Sequence, residues 1–454
     1  MEGPRGGHSE GAFELPKGKE IAKVVLMLQP DEGREVVYLI APSGHPNYGD
    51  EFIAAAWLRY LARARPHALI VLDCHTPGQA SVLLNGCHPH VMFVDTAWRL
   101  AVEAGDRPQE ESHELLDGVI EEPGRACLLV DGIGLLSRAS SIHLLGGGYL
   151  NSVWPHHLGL LRLVRAAARR SGARLYATGQ GLMPAGSADE LRASVGDFDV
   201  FDVRDRESAE LLGVTATGDD AWLAVPPKSG TDRQLRREVP VYDGTSDAAQ
   251  RDVVLCLQSD LVTNTDDAPG GDVADLAIRL LDEWGVTGDQ VAVIECIPGT
   301  DRVAYDQIAH RIEGAVFVPF TVLWRDGLPA RAGQTWISTR FHPHLLAAAA
   351  GASGVALSGR KDYYDTKHRS LTDEGSPWVV LPLNADTDAP ARPSRGGFAA
   401  GVVDSLVARK RRLAGQLYPR QSARVRVKQA LPPQVRRKLR AGVQRGKALL
   451  ARQD

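Results

Sequence analysis

Arg340 and His342 stand two residues apart in STRFHPH, between the apolar run TWIS and the alanine-rich LLAAAAGA. At a strand end, this pair gives a fixed cation beside a group that moves protons near neutral pH. His344 makes a His342/His344 metal pair conceivable, yet no carboxylate or third histidine stands at supporting spacing, so no metal is expected. Arg204, in DVRDRES, occupies a second strand end ahead of a helix. Its guanidinium fork suits a carboxylate or phosphate, and a salt-bridged helix start with Asp205 as N-cap accounts for the same residues. Lys367, in YYDTKH, follows another apolar run and reads either as a point charge for phosphate or as a surface lysine.

Three further loops carry little charge. HPNYGDE precedes a helical run, so Asn47 and Asp50 stand where helix-start amides can cradle an anion or sugar hydroxyls, with Asp50 the expected N-cap. An ordinary capped turn explains that loop equally. Gly146, Gly147 and Gly148, followed by Tyr149, Leu150 and Asn151, come directly after SIHLL. Three missing Cβ atoms let a ligand approach the main chain, or merely allow a tight turn. Neither GxGxxG nor GxxxxGK[ST] occurs there, so the run is neither a dinucleotide fingerprint nor a P-loop. TGQGL, with Gln180, follows a further strand.

These loops need strands and helices to hold them. VVYLIA, ALIVLD, HVMFV, ACLLV, SIHLL and ARLYAT recur with helical segments between them, the pattern of a parallel sheet covered on both faces. After the polar, proline-bearing PPKSGTDRQLRREVP a second series begins: VVLCLQ, VAVIEC, AVFVPF, TWIS, SGVAL and WVVLP. The expected architecture is α/β, two Rossmann-like domains in tandem whose strand carboxyl ends face one cleft. The expected boundaries are a flexible start over 1–20, a first domain over 21–225, a linker over 226–250, a second domain with the donor site over 251–385, and a return helix with basic tail over 386–454.

A chain of 454 residues with 44% hydrophobic and 24% charged side chains is neither one small module nor wholesale disorder. It has no apolar run long enough to span a bilayer and no signal-peptide pattern at its start, so a cytoplasmic protein is expected. Five well-separated cysteines without a CxxC pair argue against disulfides and a cysteine zinc site, and are expected to be buried thiols. The net charge of −4 hides a division: residues 409–452 hold 15 Lys and Arg with no acid, leaving 37 basic against 55 acidic residues before them. QVRRKLRAGVQRGKALLARQ reads as a basic helix with a narrow apolar face, able to lie on an anionic membrane surface or to dock on the acidic body. Nucleic acid is not expected, since that tail has one aromatic, Tyr418, and no binding module around it.

NYGDE, LLGGGYLN, TGQGL, VRDRESAELLG, GDDAWL and TRFHPHLLAAAAG, in that order, resemble the polysaccharide pyruvyltransferase family from about Val37 to Lys367. The resemblance implies a GT-B-like fold and transfer of pyruvate from phosphoenolpyruvate onto two hydroxyls of a saccharide or lipid-linked saccharide, giving a ketal, in the making of cell-surface or extracellular polysaccharide. By resemblance, the Arg-x-His element that holds phosphoenolpyruvate falls on Arg340 and His342, a strand-end arginine on Arg204, and a YxxK lysine on Lys367. Phe341 stands where leucine is more usual. Phosphoenolpyruvate needs cations for its carboxylate and phosphate, an acid for its methylene carbon and a base for the attacking hydroxyl. Arg340 and Arg204 supply the first, His342 the second, and Asp50 or Asp205 the third. That chemistry calls for no cofactor and no metal. Two other readings stand beside it: a nucleotide-sugar glycosyltransferase of the same architecture, with Asp373-Glu374 for the donor ribose, and a non-catalytic saccharide-binding member of the fold.

Overall fold

The computed structural model of the protein describes residues 34–229, 241–259, 273–359, 365–383 and 388–421, which fall within the compact unit Glu35–Arg426 apart from residue 34. The expected flexible start, the middle of the expected linker and the basic tail beyond residue 421 lie outside the described residues.

Two six-stranded parallel sheets organise the chain. The first holds β1 (Val36–Ile40), β2 (Leu69–Asp73), β3 (Val91–Val94), β4 (Ser141–Leu144), β5 (Arg174–Gln180) and β6 (Val200–Val203). The second holds β7 (Val253–Cys256), β8 (Val291–Ile294), β9 (Val316–Val318), β10 (Thr335–Ser338), β11 (Ser353–Ser358) and β12 (Val379–Pro382). The orders are β3-β2-β1-β4-β5-β6 and β12-β11-β10-β7-β8-β9. Counted from its own first strand, each is the 3-2-1-4-5-6 order of a Rossmann sheet, so the GT-B-like α/β expectation holds.

The core explains why the central strands are apolar throughout. In β1, Val37 and Leu39 face one core while Val36, Tyr38 and Ile40 face another. In β7, Val254 and Cys256 share the core of Val37 and Leu39, and Val253 and Leu255 face a third. One hydrophobic core therefore runs from the first domain into the second. The helix Tyr48–Ala64 lies in this shared core, with Phe52, Ile53, Trp57, Leu58 and Leu61 buried.

Some local expectations change. ACLLV is not a strand: Pro123–Leu129 is a 3-10 helix and Val130–Leu136 an α-helix. Pro123 sits at the helix start and Leu128 is 82% exposed, whereas an inner parallel strand is covered on both faces. A short apolar run has no period to separate the two states. The sixth place in the sheet goes to VFDV, directly ahead of Arg204. TGQ lies inside β5 instead of after it, with Gly179 at φ +57° and a register shift beside β6. Four cysteines are buried, but Cys127 is exposed.

The helix Ala400–Leu417 returns to the first domain and places Lys410 at its centre, fully buried. Its ammonium lies 2.9 Å from Asp202 and 3.0 Å from Asp220. Burial disfavours the charge, but the two carboxylates outweigh it and push the Lys410 pKa up. Lys410 is thus part of the body, although it lies within the basic run of residues 409–452.

Candidate active site

Loops after the strands of both sheets enclose a cavity of about 730 Å³. From the first sheet, Asn47 closes β1 and caps the helix Tyr48–Ala64, its side chain accepting from the Gly49 amide at 3.3 Å. Asp50, the expected cap, lies in the first helical turn and receives the Asn47 side-chain amide at 2.8 Å. Asparagine takes the cap because the helix begins at Tyr48, one residue later. The next acid, Glu51, points away and accepts from the Gly44 amide at 2.6 Å. Burial pushes its carboxyl up to about 8.

The three glycines divide in role. Gly146 gives its amide to Asp220 at 3.0 Å, and Asp220 also receives Trp57 Nε1 at 2.7 Å and the Thr178 hydroxyl at 2.6 Å. Gly147 bridges to β5, its carbonyl accepting from the Gly181 amide at 2.9 Å. Only Gly148 of the three lines the cavity. A Cβ there would stand 3.0 Å from Arg204 Nη2 and 3.2 Å from Lys367 Cε, so this glycine is where the two cations converge. Asn151 is buried and braces the turn, donating to the Gly148 carbonyl and accepting from the Val153 amide. Gln180 is buried beneath it, donating to the Leu144 and Leu145 carbonyls. Gly146, Gly147, Asn151 and Gln180 thus shape the loop from behind the cavity wall.

Arg204 follows β6. Its Nη1 lies 3.3 Å from Asp219 Oδ2, and its guanidinium carbon stands 4.6 Å from the centre of the Phe341 ring. A Cβ at Gly181 would come within 2.6 Å of Arg204 Nε, so that glycine leaves room for the side chain. Asp205, as expected, caps the helix Arg206–Leu212 by accepting from the Ser208 amide at 2.8 Å, and it does not line the cavity.

From the second sheet, Arg340 and His342 follow β10, and Lys367 lies in the helix after β11. Asp301 receives Arg340 Nε at 2.9 Å and 3.0 Å and also pairs with Nη2. His342 Nε2 lies 3.4 Å from Asp219 Oδ1. Its Nδ1 lies over Gly49, where a Cβ would stand at 1.7 Å. Burial lowers Lys367 well below the usual lysine range, and Arg204 lowers it further. Burial raises the Asp50 carboxyl, against the pull of His342, Lys367 and Arg204.

Asp219 carries no role in the sequence reading, although GDDAWL stands among its motifs. It is 1% exposed, and burial alone would raise its pKa. His342 and then Arg204 reverse this and hold the carboxyl well below its usual range. Asp219 therefore joins the cation of one domain to the imidazole of the other. The only signal in the sequence is the Asp-Asp pair, whose second member turns inward to Lys410.

Other candidates lie elsewhere. His344 is buried, stacks on Trp378 at 4.3 Å and contacts His368 and Ser376, so it does not join His342 at a metal. Asp373 lies 4.0 Å from Arg206, and Glu374 stands where a Cβ on Gly218 would meet it. Neither Asp373 nor Glu374 lines the cavity. Among the described residues, Cys256, Cys296 and Asp301 form one group whose possible ligand atoms lie within 4.8 Å of one another. The Asp301 carboxylate there is engaged by Arg340 and by the Cys296 and Ile297 amides. Among the described residues no helix is long and apolar enough to cross a membrane.

A family model for polysaccharide pyruvyl transferase matches residues 47–283, from the Asn47 cap into the first helix of the second domain. No curated protein matches the chain. Among solved structures, a candidate UDP-N-acetylglucosamine 2-epimerase from Listeria monocytogenes is 10% identical, with 86% of this chain and 93% of that one covered and a TM-score of 0.46. The Arabidopsis thaliana UGT89C1 complexed with UDP-L-rhamnose is 12% identical over 85% and 91% of the two chains, with a TM-score of 0.43. The E. coli ADP-heptose LPS heptosyltransferase II is 12% identical over 84% and 99%, with a TM-score of 0.33.

Proposed function

The chain belongs to the polysaccharide pyruvyl transferase family, and from that premise we propose that it transfers pyruvate from phosphoenolpyruvate to two hydroxyls of a saccharide, forming a cyclic ketal. The observation that carries this reading is the convergence of Arg204, Arg340, Lys367 and His342, drawn from both domains, on one cavity beside Gly148. A donor with a carboxylate and a phosphate needs separated cations, and rigid guanidinium forks bind such groups bidentately. Arg204 and Lys367 take the phosphate, and Arg340, oriented by Asp301, takes the carboxylate.

The reaction then balances as follows. His342 gives a proton to the methylene carbon, which becomes the methyl group, and the first sugar hydroxyl attacks C2 as it loses its own proton to Asp50. The C2–O bond to phosphate breaks next, the phosphate leaving onto Arg204 and Lys367. The second hydroxyl bonds to C2, and its proton returns to the buffer or the departing phosphate. One proton is added at carbon, two leave hydroxyls, and the products are the ketal and inorganic phosphate. Asp219 supports the charged imidazolium through Nε2, which leaves Nδ1 over Gly49, a cavity-lining residue, as the donor. Asp50 is favoured over Asp205 as base because it lines the cavity, while Asp205 caps a helix.

Thermal stability measured with phosphoenolpyruvate and with nucleotide sugars tests the donor. Ligand at 100 times its Kd adds about 2.7 kcal/mol. Stabilisation by phosphoenolpyruvate that Arg340→Ala abolishes is the expected result; stabilisation only by a nucleotide sugar would turn the assignment to a glycosyltransferase.

A further inference from the structure

Two histidines that do not line the cavity sit directly behind its second-domain cations. His344 follows Arg340 and His342 on the helix Phe341–Ala350, and His368 follows Lys367 on the helix Thr366–Asp373. Both are fully buried. Their Nδ1 atoms lie 3.1 Å apart, with ring centres 5.3 Å apart and planes inclined by 28°, so the rings meet nitrogen to nitrogen. Each ring has a second partner on its far side. His368 Nε2 lies 3.3 Å from the Thr339 carbonyl oxygen, and His344 Nε2 lies 2.8 Å from Ser376 Oγ.

These partners allow one arrangement of protons. Burial lowers the His368 pKa to about 4 and takes His344 well below the usual histidine range, so both rings are neutral at pH 7. The Thr339 carbonyl can only accept, so His368 carries its proton on Nε2 and presents a lone pair at Nδ1. His344 must then carry its proton on Nδ1, and its Nε2 accepts from the Ser376 hydroxyl. The bonds therefore run one way, from Ser376 through His344 and His368 to Thr339. The origin of this chain is fixed, because His344 stacks on Trp378 at 4.3 Å and the Trp378 indole donates to the Ala352 carbonyl at 2.9 Å. Its end is fixed as well. The Thr339 amide donates to the Cys256 carbonyl at 3.0 Å, the Thr339 hydroxyl oxygen accepts from the Gln258 amide at 2.9 Å, and Arg340 is the next residue.

The helix that carries Lys367 needs such a fastening. It has eight residues and no side-chain cap at its start. An isolated helix of that length is unstable in water, so its place is set by what its buried side chains touch. Leu371 supplies apolar contact, which has no direction, whereas His368 supplies hydrogen bonds, which do. Resting on the pyruvyl-transfer reading, we propose that His368 is a positioning residue for the donor: its bond to the Thr339 carbonyl fixes Lys367 relative to Arg340, and His344 fixes the ring that makes that bond. Lys367 and Arg340 then arrive at the spacing that the phosphate and the carboxylate of one donor molecule require. His342 takes no part in the chain, since it faces Asp219 and Gly49 instead.

Nitrogen NMR of the imidazoles in the wild-type full chain at pH 7 tests the arrangement. His368 should be protonated at Nε2 alone and His344 at Nδ1 alone. Calorimetric titration with phosphoenolpyruvate tests the role. His368→Gln keeps a donor at the Nε2 position and should hold Kd within about twofold of wild type. His368→Asn keeps only an acceptor at the Nδ1 position and should raise Kd about 5- to 10-fold, the loss of one buried hydrogen bond. His368→Met forms helix about as well as His368→Gln but makes neither bond, and should match His368→Asn. Equal Kd in all four proteins, equal losses in His368→Gln and His368→Met, or His344 protonated at Nε2 would overturn the proposal. A wild type with the expected tautomers that does not bind phosphoenolpyruvate would instead remove the donor assignment, and the positioning role with it.

Discussion

Gly49→Ala should disable the site through one added carbon. On helix propensity alone the change favours folding by about 1 kcal/mol, since Gly49 lies in the first turn of Tyr48–Ala64 with an ordinary helical backbone. The new Cβ, however, would stand 1.7 Å from His342 Nδ1, and ordinary contact begins at 3.4 Å. The imidazole must therefore retreat by about 1.7 Å, or the helix must shift with its buried Phe52, Ile53 and Trp57. Either movement breaks the 3.4 Å relation between His342 Nε2 and Asp219. A misplacement of about 1 Å can cost on the order of 100-fold in rate, so kcat should fall by that factor or more. Overpacking of about 1–3 kcal/mol offsets the propensity gain, which leaves the net stability change small and destabilising. Phosphate release from phosphoenolpyruvate with a glycoside acceptor measures the rate, and the His342 imidazole signals in NMR report the displacement directly. A double-mutant cycle with His342→Ala isolates the cause, because Gly49→Ala should add little once the ring is gone. Activity within about threefold of wild type with unmoved His342 signals, or fully additive losses in the cycle, would refute the reasoning.

Gly148→Ala places its Cβ 3.0 Å from Arg204 and 3.2 Å from Lys367, so calorimetric affinity for phosphoenolpyruvate should weaken by about 3- to 10-fold with the urea midpoint little changed. Lys410→Met leaves Asp202 and Asp220 buried without their cation and should cost about 3–5 kcal/mol in urea denaturation; a loss under about 1 kcal/mol would mean the pair is not the anchor of the return helix. Glu51 tests a pH dependence: its carboxyl is raised by burial from 4.5 to about 8, so the folded chain holds a proton that the unfolded chain has lost between those values. The contribution is complete below about pH 4.5 and declines by about 1.4 kcal/mol per pH unit until about pH 8. Glu51→Gln should remove that slope, and parallel denaturation curves for both proteins at pH 6 and pH 8 would contradict it.

The fold was legible wherever burial wrote itself into composition. VVYLIA, ALIVLD, VVLCLQ and VAVIEC are apolar throughout because a strand inside a two-sided parallel layer meets side chains on both faces. ACLLV has the same composition but lies in helical turns with Leu128 in water, since four or five apolar residues carry no period that separates strand from helix. The candidate site was legible in part: Arg204 and Arg340 closely follow β6 and β10, His342 and Lys367 lie in the first turns of the helices after β10 and β11, and all four line the cavity. It was not legible in what orients them, because Asp219 and Gly49 meet His342 across the cleft, while Asp301 meets Arg340 and Gly181 meets Arg204 from other strands of the same sheet, all distant in sequence.

Residue identity and spacing alone determined the two Rossmann-like series, the family motifs and the cationic strand ends, because these depend on neighbours within a single βα unit. Tertiary structure decided which polar residues meet. Asn47, not Asp50, caps the helix; Gly148 faces the cavity while Gly146 and Gly147 turn to Asp220 and β5; His342 finds Asp219 and His344 finds Trp378. The physical reason is range. A cap or a strand is settled by local backbone geometry, whereas an ion pair or a ring contact is settled by the packing of two sheets around one shared core.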